Sequence, residues 1–323
     1  MSARIIGLGE TVMDILFKEI KDDNAATSEY VPFAAVPGGS TFNSMVSVGR
    51  SGVPCKFMGY TGNNKVGHQI VDFMVRNGIS TEYFQIRENE RAAISLAYLD
   101  SNGDADYTFY KEEPLAATDY SMPEFTDKDY FLFGSYYSIC PGLRPQVSNI
   151  LHTAHDAGTV IYYDINFRRS HSHQKLELLP VIQENCKLSS IVRGSADDFD
   201  ILFGTRDPEE IYREHISAFC PIFICTAGAG HIYICTPKET FDFIVPQIPT
   251  NEIVSTVGAG DSFNAGFLCA MHRLSICKAD LPKMEHPQWQ QLVENGIQYS
   301  SQVCRSQDNY IKGVADKQNL ANI

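Results

Sequence analysis

The segment Ser255-Thr-Val-Gly258-Ala-Gly260-Asp261-Ser-Phe263 is followed directly by apolar residues at helical spacing. Its glycines allow the backbone to approach a ligand closely, and free N–H groups at a helix start attract anions through hydrogen bonds and the helix dipole. A carboxylate beside them would normally repel a phosphate, but it is needed if it takes a proton from a hydroxyl that attacks the phosphate. The segment therefore predicts phosphoryl transfer with Asp261 as the base. A helix merely capped by small residues is the alternative.

Composition indicates an ordinary globular chain. Of its 323 residues, 44% are hydrophobic and 20% are charged, which is enough apolar material for the core of a single domain over residues 1–323. The net charge of −13 argues against nucleic acid and anionic membranes as partners. ATP remains compatible with an acidic chain, because the nucleotide arrives with Mg²⁺ and meets a local cradle.

The nine cysteines indicate a reducing compartment. They extend from Cys55 to Cys304, are odd in number, form no C-x-x-C pair and lie mostly in apolar runs, as is typical of buried thiols. The first residues lack the apolar stretch of a signal peptide, and no segment approaches the roughly 18 to 20 apolar residues of a membrane span. A cytoplasmic location without membrane contact is expected.

Short β-rich runs alternate with helical patterns along most of the chain. Predicted strands include Arg4–Leu8, Thr159–Ile165, Ser190–Val192 and Ile222–Thr226, and a helix is predicted over Thr41–Arg50. Such alternation is typical of the α/β class, with a doubly wound, mostly parallel sheet flanked by helices.

Two segments, at about residues 18–36 and 92–112, break this alternation. The first is polar and irregular, and the second is rich in β-forming residues around the hairpin signal Ser101-Asn-Gly103-Asp. We expect them to form a small β-sheet lid. Because exposed strand edges can pair between subunits, the lid also predicts a homodimer.

Missing motifs exclude several common chemistries. Gly7-Leu-Gly9-Glu-Thr-Val12 resembles a dinucleotide fingerprint, but Val12 stands where the third glycine is required, which argues against a Rossmann oxidoreductase. The sequence contains no P-loop, no H-E-x-x-H and no cysteine–histidine metal spacing.

Three further elements fit the chemistry predicted around Asp261. Pro37-Gly38-Gly39-Ser-Thr-Phe-Asn43 places glycines before a helix, together with an amide that can hold hydroxyl groups. Asp164-Ile-Asn166-Phe-Arg168 follows a predicted parallel strand, where ligands of open α/β sheets bind. Thr226-Ala-Gly228-Ala-Gly230 can cradle a phosphate. Taken singly, each has a plain structural explanation that is equally good: a turn for the first, a surface ion pair for the second and a hairpin for the third.

Together and in this order, the four elements resemble the PfkB, or ribokinase-like, family of sugar and nucleoside kinases, and the fructokinase-type sugar kinases most of all. The resemblance extends from Gly9 to the C-terminal helix. It implies a large α/β sheet with a β lid, ATP and Mg²⁺ as nucleotide and cofactor, and phosphorylation of a primary hydroxyl of a monosaccharide.

The resemblance also implies roles for individual residues. Asp261 matches the catalytic base. The backbone amides of Ala259 and Gly260, in the turn that begins at Gly258, match an anion hole for the transferred phosphoryl group. The residues that match the sugar site are Asp14, Gly38, Gly39, Asn43 and Arg168. The residues that match the nucleotide site are Thr226, Gly228, Gly230 and, beside the adenine, Asn295.

Two positions depart from the family pattern. Ser255 stands where the family usually has an aspartate that helps to bind an activating monovalent cation, so a requirement for K⁺ is left open. The family's N-x-x-E element, which organises Mg²⁺ through water, appears here as Ser195-Ala-Asp-Asp198. Asp198 keeps a carboxylate on a shorter side chain and is expected to contact the metal through water.

The position of Asp261 also predicts its acidity. A helix N-terminus lowers the pKa of a nearby carboxyl, which would make Asp261 a weak base. A weak base suffices when the proton moves late in a loose transition state. We therefore expect the position of Asp261 to matter more than its basicity.

The segment Tyr107-Thr-Phe109-Tyr110-Lys111 resembles the aromatic and cationic stretch of fructokinases and of 2-keto-3-deoxygluconate kinases. Phe109 is expected to pack on a sugar, although an ordinary alternating strand would show the same pattern. Lys111 replaces the arginine often found there, which weakens a bidentate carboxylate clamp and favours a neutral hexose, fructose first. The alternatives are a 2-keto-3-deoxygluconate kinase, a ribokinase, a nucleoside kinase, or a catalytically silent protein that binds sugar or nucleotide.

Overall fold

The computed structural model describes residues 2–17, 33–99, 105–113 and 120–313. Its strands are β1 (Ile5–Leu8), β2 (Val12–Phe17), β3 (Phe33–Gly38), β4 (Cys55–Gly62), β5 (Ile79–Ser80), β6 (Phe84–Arg87), β7 (Ala93–Leu99), β8 (Ala105–Tyr110), β9 (Tyr130–Gly134), β10 (Val160–Asp164), β11 (Ile191–Ser195), β12 (Phe223–Ala227), β13 (His231–Cys235) and β14 (Thr240–Ile244). Its α-helices are α1 (Ser40–Arg50), α2 (Lys65–Arg76), α3 (Arg144–Asp156), α4 (Lys175–Leu188), α5 (Ala196–Phe203), α6 (Pro208–Ile211), α7 (Ala259–Leu274) and α8 (His286–Cys304).

A large, mostly parallel sheet forms the body of the molecule. Its strand order is β14-β13-β12-β11-β10-β9-β1-β4-β5, with β6 also paired to β4. Every pair from β12 to β5 is parallel, and β13 and β14 continue the sheet antiparallel. This arrangement confirms the predicted α/β class and the predicted strands, with shifts of one residue at most ends and of three residues at the end of β11.

Helices cover both faces of this sheet because its strands are apolar on both sides. In β1, Ile5 belongs to a core cluster shared with α1, α2, α7 and α8, whereas Ile6 belongs to a second cluster shared with α3, α4 and α5. Tyr162 and Tyr163 of β10 divide between the two clusters in the same way. Strands buried on both faces have continuous apolar runs, as expected for a doubly wound parallel sheet.

A separate small sheet has the order β3-β2-β7-β8. Strands β7 and β8 lie within the second segment predicted for the lid, and the beginning of β3 lies at the end of the first. Residues 18–32 of that first segment lie outside the described residues. Strand β2 was not predicted from the sequence; it follows β1 after a short loop and pairs with β3 and β7.

The parallel topology gathers the carboxyl ends of β1, β9, β10, β11 and β12 at one edge of the large sheet. Ligands of open α/β sheets bind at this edge. Within the described residues, no helix is long and apolar enough to cross a bilayer. All nine cysteines are described, none is bonded to another, and seven of them are buried.

Candidate active site

Asp261 lies in the first turn of α7 and is buried. Ser40 Oγ donates to its Oδ1 at 2.7 Å, and Asn43 Nδ2 donates to its Oδ2 at 3.0 Å. Ser44 Oγ donates to the backbone carbonyl of Asp261 at 2.8 Å. Three side chains of α1 therefore hold both the carboxylate and the helix that carries it.

The start of α1 depends on Gly38 and Gly39. Gly39 caps the helix with φ +123°, a conformation that favours glycine, and a Cβ at this position would collide with the carbonyl of Glu10. A Cβ on Gly38 would collide with the carboxylate of Asp14. The glycine pair thus lets α1 begin beside Asp14 and present Ser40 and Asn43 to Asp261.

Asp14 is a second buried carboxylate at this edge. It lies on β2, and Ser95 Oγ of β7 donates to its Oδ1. Burial raises the pKa of Asp14 to about 6; the hydrogen bond from Ser95 opposes this rise and the charge of Glu10 adds to it. The small sheet therefore delivers Asp14 and its supporting hydroxyl to the site.

The pKa of Asp261 differs from the sequence-based expectation. Burial raises it to about 6, although the hydrogen bonds from Asn43 and Ser40 and the charge of Arg168 lower it. The expectation of a lowered pKa was wrong because it counted the helix terminus and not the loss of water around the carboxylate. A carboxylate with this pKa is a stronger base than an exposed aspartate.

The first turn of α7 presents unpaired backbone donors. The N–H of Ala259 donates to the carbonyl of Thr256 at 3.2 Å. Among the described residues, no acceptor is bonded to the N–H groups of Gly260 and Asp261. The open donors thus lie one residue later than the predicted pair Ala259 and Gly260. Gly258 caps the helix with φ +79°.

The segment after β10 joins this arrangement through Asn166. Asn166 has φ +40°, a region that asparagine tolerates, and its Nδ2 donates to Ser40 Oγ at 2.8 Å. Arg168 is exposed, and its positive charge acts on Asp261. The structure therefore brings Asn166 of the second predicted element to the hydroxyl that bonds the carboxylate of Asp261.

Arg193 is a buried arginine on β11 that was not predicted from the sequence as a site residue. Its Nη1 donates to both oxygens of Asp164, at 3.0 and 3.2 Å, and its Nη2 donates to Thr226 Oγ1 at 2.8 Å. Asn264 Nδ2 of α7 also donates to Asp164, at 2.6 Å. An arginine among the apolar residues of a predicted strand was the signal that could have indicated this network.

The predicted nucleotide turn is the hairpin between β12 and β13. Gly228 is exposed with φ +59°, and the N–H of Gly230 donates to the carbonyl of Ala227 at 3.2 Å. The hydroxyl of Thr226 accepts the hydrogen bond from Arg193. Thr226 thus belongs to the network around Asp164, and the glycines extend outward from it.

Asn295 is not brought into this network. It lies on α8, where its Nδ2 donates to the carbonyl of Gly266 and its Oδ1 accepts from Arg273 Nη1 at 3.2 Å. Both ends of its amide therefore serve the contact between α7 and α8.

Asp198, the predicted metal-linked residue, is buried in the first turn of α5. Its Oδ2 accepts from both the backbone N–H and the hydroxyl of Ser195 at 2.7 Å, and Ser195 Oγ accepts from the N–H of Asp198 at 3.2 Å. Burial raises the pKa of Asp198. Within the described ranges, Oδ1 has no hydrogen bond, and no group of three or more His, Cys, Asp or Glu side chains is placed to hold a metal.

Phe109 and Lys111 lie at the end of the small sheet. Phe109 is 54% exposed on β8. Lys111 Nζ forms an ion pair with Glu10 at 2.8 Å and lies 5.4 Å from the centre of the Phe109 ring. The Tyr136 ring, 6.0 Å from the same Nζ, stacks on His171 at 4.0 Å. An aromatic wall with one paired cation thus borders the site.

A buried carboxylate, open helix-terminal amides and a glycine hairpin lie at one edge of the sheet, an arrangement suited to binding a phosphate beside a base. The family model for pfkB family carbohydrate kinases matches residues 2–303, and the chain belongs to this family.

Named relatives have different substrates. The chain is 26% identical to the aminoimidazole riboside kinase of Salmonella typhimurium, over 73% of this chain and 74% of that one. It is also 26% identical to the 5-dehydro-2-deoxygluconokinase of Geobacillus kaustophilus, over 81% and 80%. The crystal structure of a fructokinase with bound ATP from Xylella fastidiosa superposes with a TM-score of 0.81 at 18% identity, covering 100% of this chain and 99% of that one.

The raised pKa of Asp261 predicts that Asp261→Asn stabilises the protein at neutral pH. The folded chain binds the carboxyl proton more tightly than the unfolded chain does, so its stability falls as pH rises from about 4 to about 6. Removing the charge should recover up to about 3 kcal/mol above pH 6 and little near pH 4. Denaturant unfolding at pH 4.5 and pH 7.5 measures the difference.

Asp72→Asn is the matched control, because Asp72 is an exposed carboxylate on α2. It should change the free energy of unfolding by less than about 0.5 kcal/mol at both pH values. An effect of Asp261→Asn that does not depend on pH would contradict the prediction.

Proposed function

We propose that the protein is an ATP-dependent sugar kinase that transfers the γ-phosphate to a primary hydroxyl of a monosaccharide, with fructose as the first candidate. One observation carries the proposal: the buried carboxylate of Asp261 is held by Ser40 and Asn43 beside the open amides of Gly260 and Asp261. A base and an anion-binding turn at the same point are what attack of a hydroxyl on a phosphate requires.

In the proposed reaction, Asp261 accepts the proton of the attacking sugar hydroxyl. The amides of Gly260 and Asp261 stabilise the charge on the transferred phosphoryl group, with Gly258 and Ala259 shaping the turn. Ser40 and Asn43 occupy one carboxylate oxygen each, so the carboxylate has a fixed orientation with further lone pairs available for the hydroxyl. Fixed geometry and a pKa near 6 thus act together, because the carboxylate is ionised at neutral pH and still basic.

The nucleotide phosphates are proposed to lie along the β12–β13 hairpin, at Thr226, Gly228 and Gly230. The exposed glycine turn supports this, because no Cβ restricts the approach of a phosphate there. Asp198 Oδ1, which has no hydrogen bond in the described part of the chain, would hold a water of the Mg²⁺ that ATP brings. Mg²⁺ typically keeps several waters and uses one or two carboxylates, so this donor set fits the ion. The K⁺ requirement stays open at Ser255, and contact of Asn295 with adenine stays a prediction.

The sugar is proposed to bind between Asp14, Gly38, Gly39, Asn43, Phe109 and Arg168. The carboxylate of Asp14 is suited to accept hydrogen bonds from sugar hydroxyls, and Phe109 offers an aromatic face. Glu10 balances the charge of Lys111, which favours a neutral hexose over a sugar acid. A nucleoside and a sugar acid remain the alternative substrates, because relatives are named for aminoimidazole riboside and for 5-dehydro-2-deoxygluconate.

A substrate panel tests the proposal directly. ATP consumption with Mg²⁺ is measured on fructose, ribose, tagatose, 2-keto-3-deoxygluconate and nucleosides, with Asp261→Asn assayed alongside. We expect turnover on fructose, lowered about 10²- to 10⁴-fold in Asp261→Asn, because the base acts in the transition state. Binding of ATP, measured by calorimetry, should be nearly unchanged.

Asp14→Asn is the control for the sugar side, and it should raise the KM for the sugar more than it lowers kcat. Turnover of Asp261→Asn close to that of the unchanged protein would refute the role of Asp261. ATP binding without turnover on any compound would instead favour a catalytically silent member of the fold.

The ion pair between Glu10 and Lys111 makes substrate charge testable. Glu10→Gln releases the charge of Lys111, so kcat/KM for 2-keto-3-deoxygluconate relative to fructose should rise by up to about fivefold, the value of a partly exposed pair. Lys111→Met should change the ratio in the opposite direction. Equal ratios in all three proteins would show that this pair does not select substrate charge.

We also propose a homodimer through the lid, in a cytoplasmic protein whose free thiols suit a reducing compartment. Strands β3 and β8 are the edges of the small sheet and expose Phe33, Phe109 and Tyr110. Light scattering should give twice the chain mass, and Phe33→Glu should halve it. Ile244→Glu, at an exposed position on the edge strand β14 of the large sheet, is the control and should leave the dimer intact. A concentration-independent monomer would refute the dimer.

A further inference from the structure

The proposed mechanism gives no part to Arg193, although this residue lies directly against the anion-binding turn. A Cβ on Gly260 would lie 3.1 Å from Nη2 and 3.3 Å from Nη1 of Arg193. The same two nitrogens donate to Thr226 and Asp164. One guanidinium therefore joins the ends of β10 and β12 and lies beside Gly260.

This position is electrostatically unusual. The N-terminus of a helix carries a partial positive charge, so a cation placed beside it destabilises the fold unless an anion is present. In addition, Nε of Arg193 is buried without a hydrogen-bond partner in the described part of the chain. A buried donor without a partner costs roughly 1 to 3 kcal/mol. Asp164 offsets part of the first cost, and an anion bound at the turn would offset the rest.

The charge of Arg193 is permanent. Burial alone would favour the neutral form, but Asp164 opposes it and the pKa of Arg193 lies above its usual value. Asp164 accepts hydrogen bonds from Arg193 at both oxygens and from Asn264 at Oδ2. The guanidinium therefore stays charged and fixed in direction, as electrostatic stabilisation of a transition state requires.

We propose that Arg193 is a positioning residue for phosphoryl transfer: it fixes Gly260 relative to Thr226 and supplies a positive charge behind the amides that receive the phosphoryl group. The proposal rests on the kinase function proposed above. It adds a requirement for the planar fork of arginine, because a lysine cannot bond to Asp164 and Thr226 and also support Gly260 in one plane.

Arg193 also influences the base through Asp164. Two charged groups act on Asp261: Asp164 at the end of β10 and Arg168 in the segment after it. Ser40 and Asn43 of α1 add uncharged hydrogen-bond donors. Arg193 in turn faces Asp164, Asp198 and Tyr162. Without the guanidinium, the negative charge of Asp164 is no longer balanced, which favours protonated Asp261. The acid limb of the rate profile should then move to higher pH.

Single-turnover rates across pH test the proposal, using Arg193→Lys, Arg193→Gln and the double variant Arg193→Gln/Asp164→Asn. We expect Arg193→Gln to lower the rate on the order of 10²-fold and to move the acid limb upward. Arg193→Lys should recover part of the rate and should restore the acid limb to the pH seen in the unchanged protein, because lysine keeps the positive charge. The double variant also removes the carboxylate that Arg193→Gln leaves buried without a cation, so it should fold well. Its acid limb should return to the pH seen in the unchanged protein, while its rate stays low.

Arg4→Gln is the matched control. Arg4 pairs with the buried Asp129 at 3.2 Å, just before β1 and β9 and thus at the opposite edge of the large sheet. It should lower stability without changing the rate or the acid limb. An unchanged rate and acid limb in Arg193→Gln, or losses equal to those of Arg4→Gln, would overturn the proposal.

Thermal unfolding with ATP separates this proposal from the kinase function. ATP should raise the unfolding temperature of the unchanged protein more than that of Arg193→Gln, because the guanidinium favours an anion at the turn. If no sugar is phosphorylated but this difference persists, the kinase proposal fails and the anion-binding role of Arg193 stands. If the protein phosphorylates sugar and Arg193→Gln loses neither rate nor ATP stabilisation, the role of Arg193 fails and the kinase proposal stands.

Discussion

The site depends on one buried carboxylate held between the first turns of two helices. Asp261 begins α7, and Ser40, Asn43 and Ser44 begin α1 more than 200 residues earlier in the chain. A buried carboxylate is unfavourable unless its oxygens are hydrogen-bonded, so this contact fixes how the two helices pack. The small sheet, the segment after β10 and the glycine turns are all positioned relative to it.

Burial and the helix terminus act on Asp261 in opposite directions, and burial has the larger effect. The helix N-terminus favours the charged form, but the removal of water raises the pKa of Asp261 to about 6. Burial likewise outweighs the hydrogen bond from Ser95 at Asp14, on the other side of Gly38 and Gly39, and raises the pKa of Asp14 to about 6. Two carboxylates that destabilise the folded chain at neutral pH are typical of a site selected for chemistry rather than for stability.

A continuous network of buried polar side chains lies beside Asp261 at the carboxyl edge of the large sheet. Tyr162 donates to Asn264, Asn264 to Asp164, and Arg193 to both Asp164 and Thr226. Its members come from β10, β11, β12 and α7, so the network ties the carboxyl edge of the sheet to the helix that carries Asp261. In a buried environment such bonds are strong, and loss of a single member leaves its partners unsatisfied.

The sequence alone determined the α/β class, four strands of the large sheet and the four glycine- or acid-containing elements, because hydrophobic periodicity and glycine turns are local signals. It also placed Asp261 at a helix start. Only the tertiary structure decided the acidity of Asp261, the bonds of Asn43 and Ser40 to it, the strand β2 and the position of Arg193. Each of these depends on residues distant in sequence: burial is set by everything packed around a group, and a buried arginine gains its partners only when strands from separate parts of the chain align. The hydrogen bonds of Asn295 likewise depend on tertiary packing: its amide bonds to residues of α7, which its position in the sequence could not indicate.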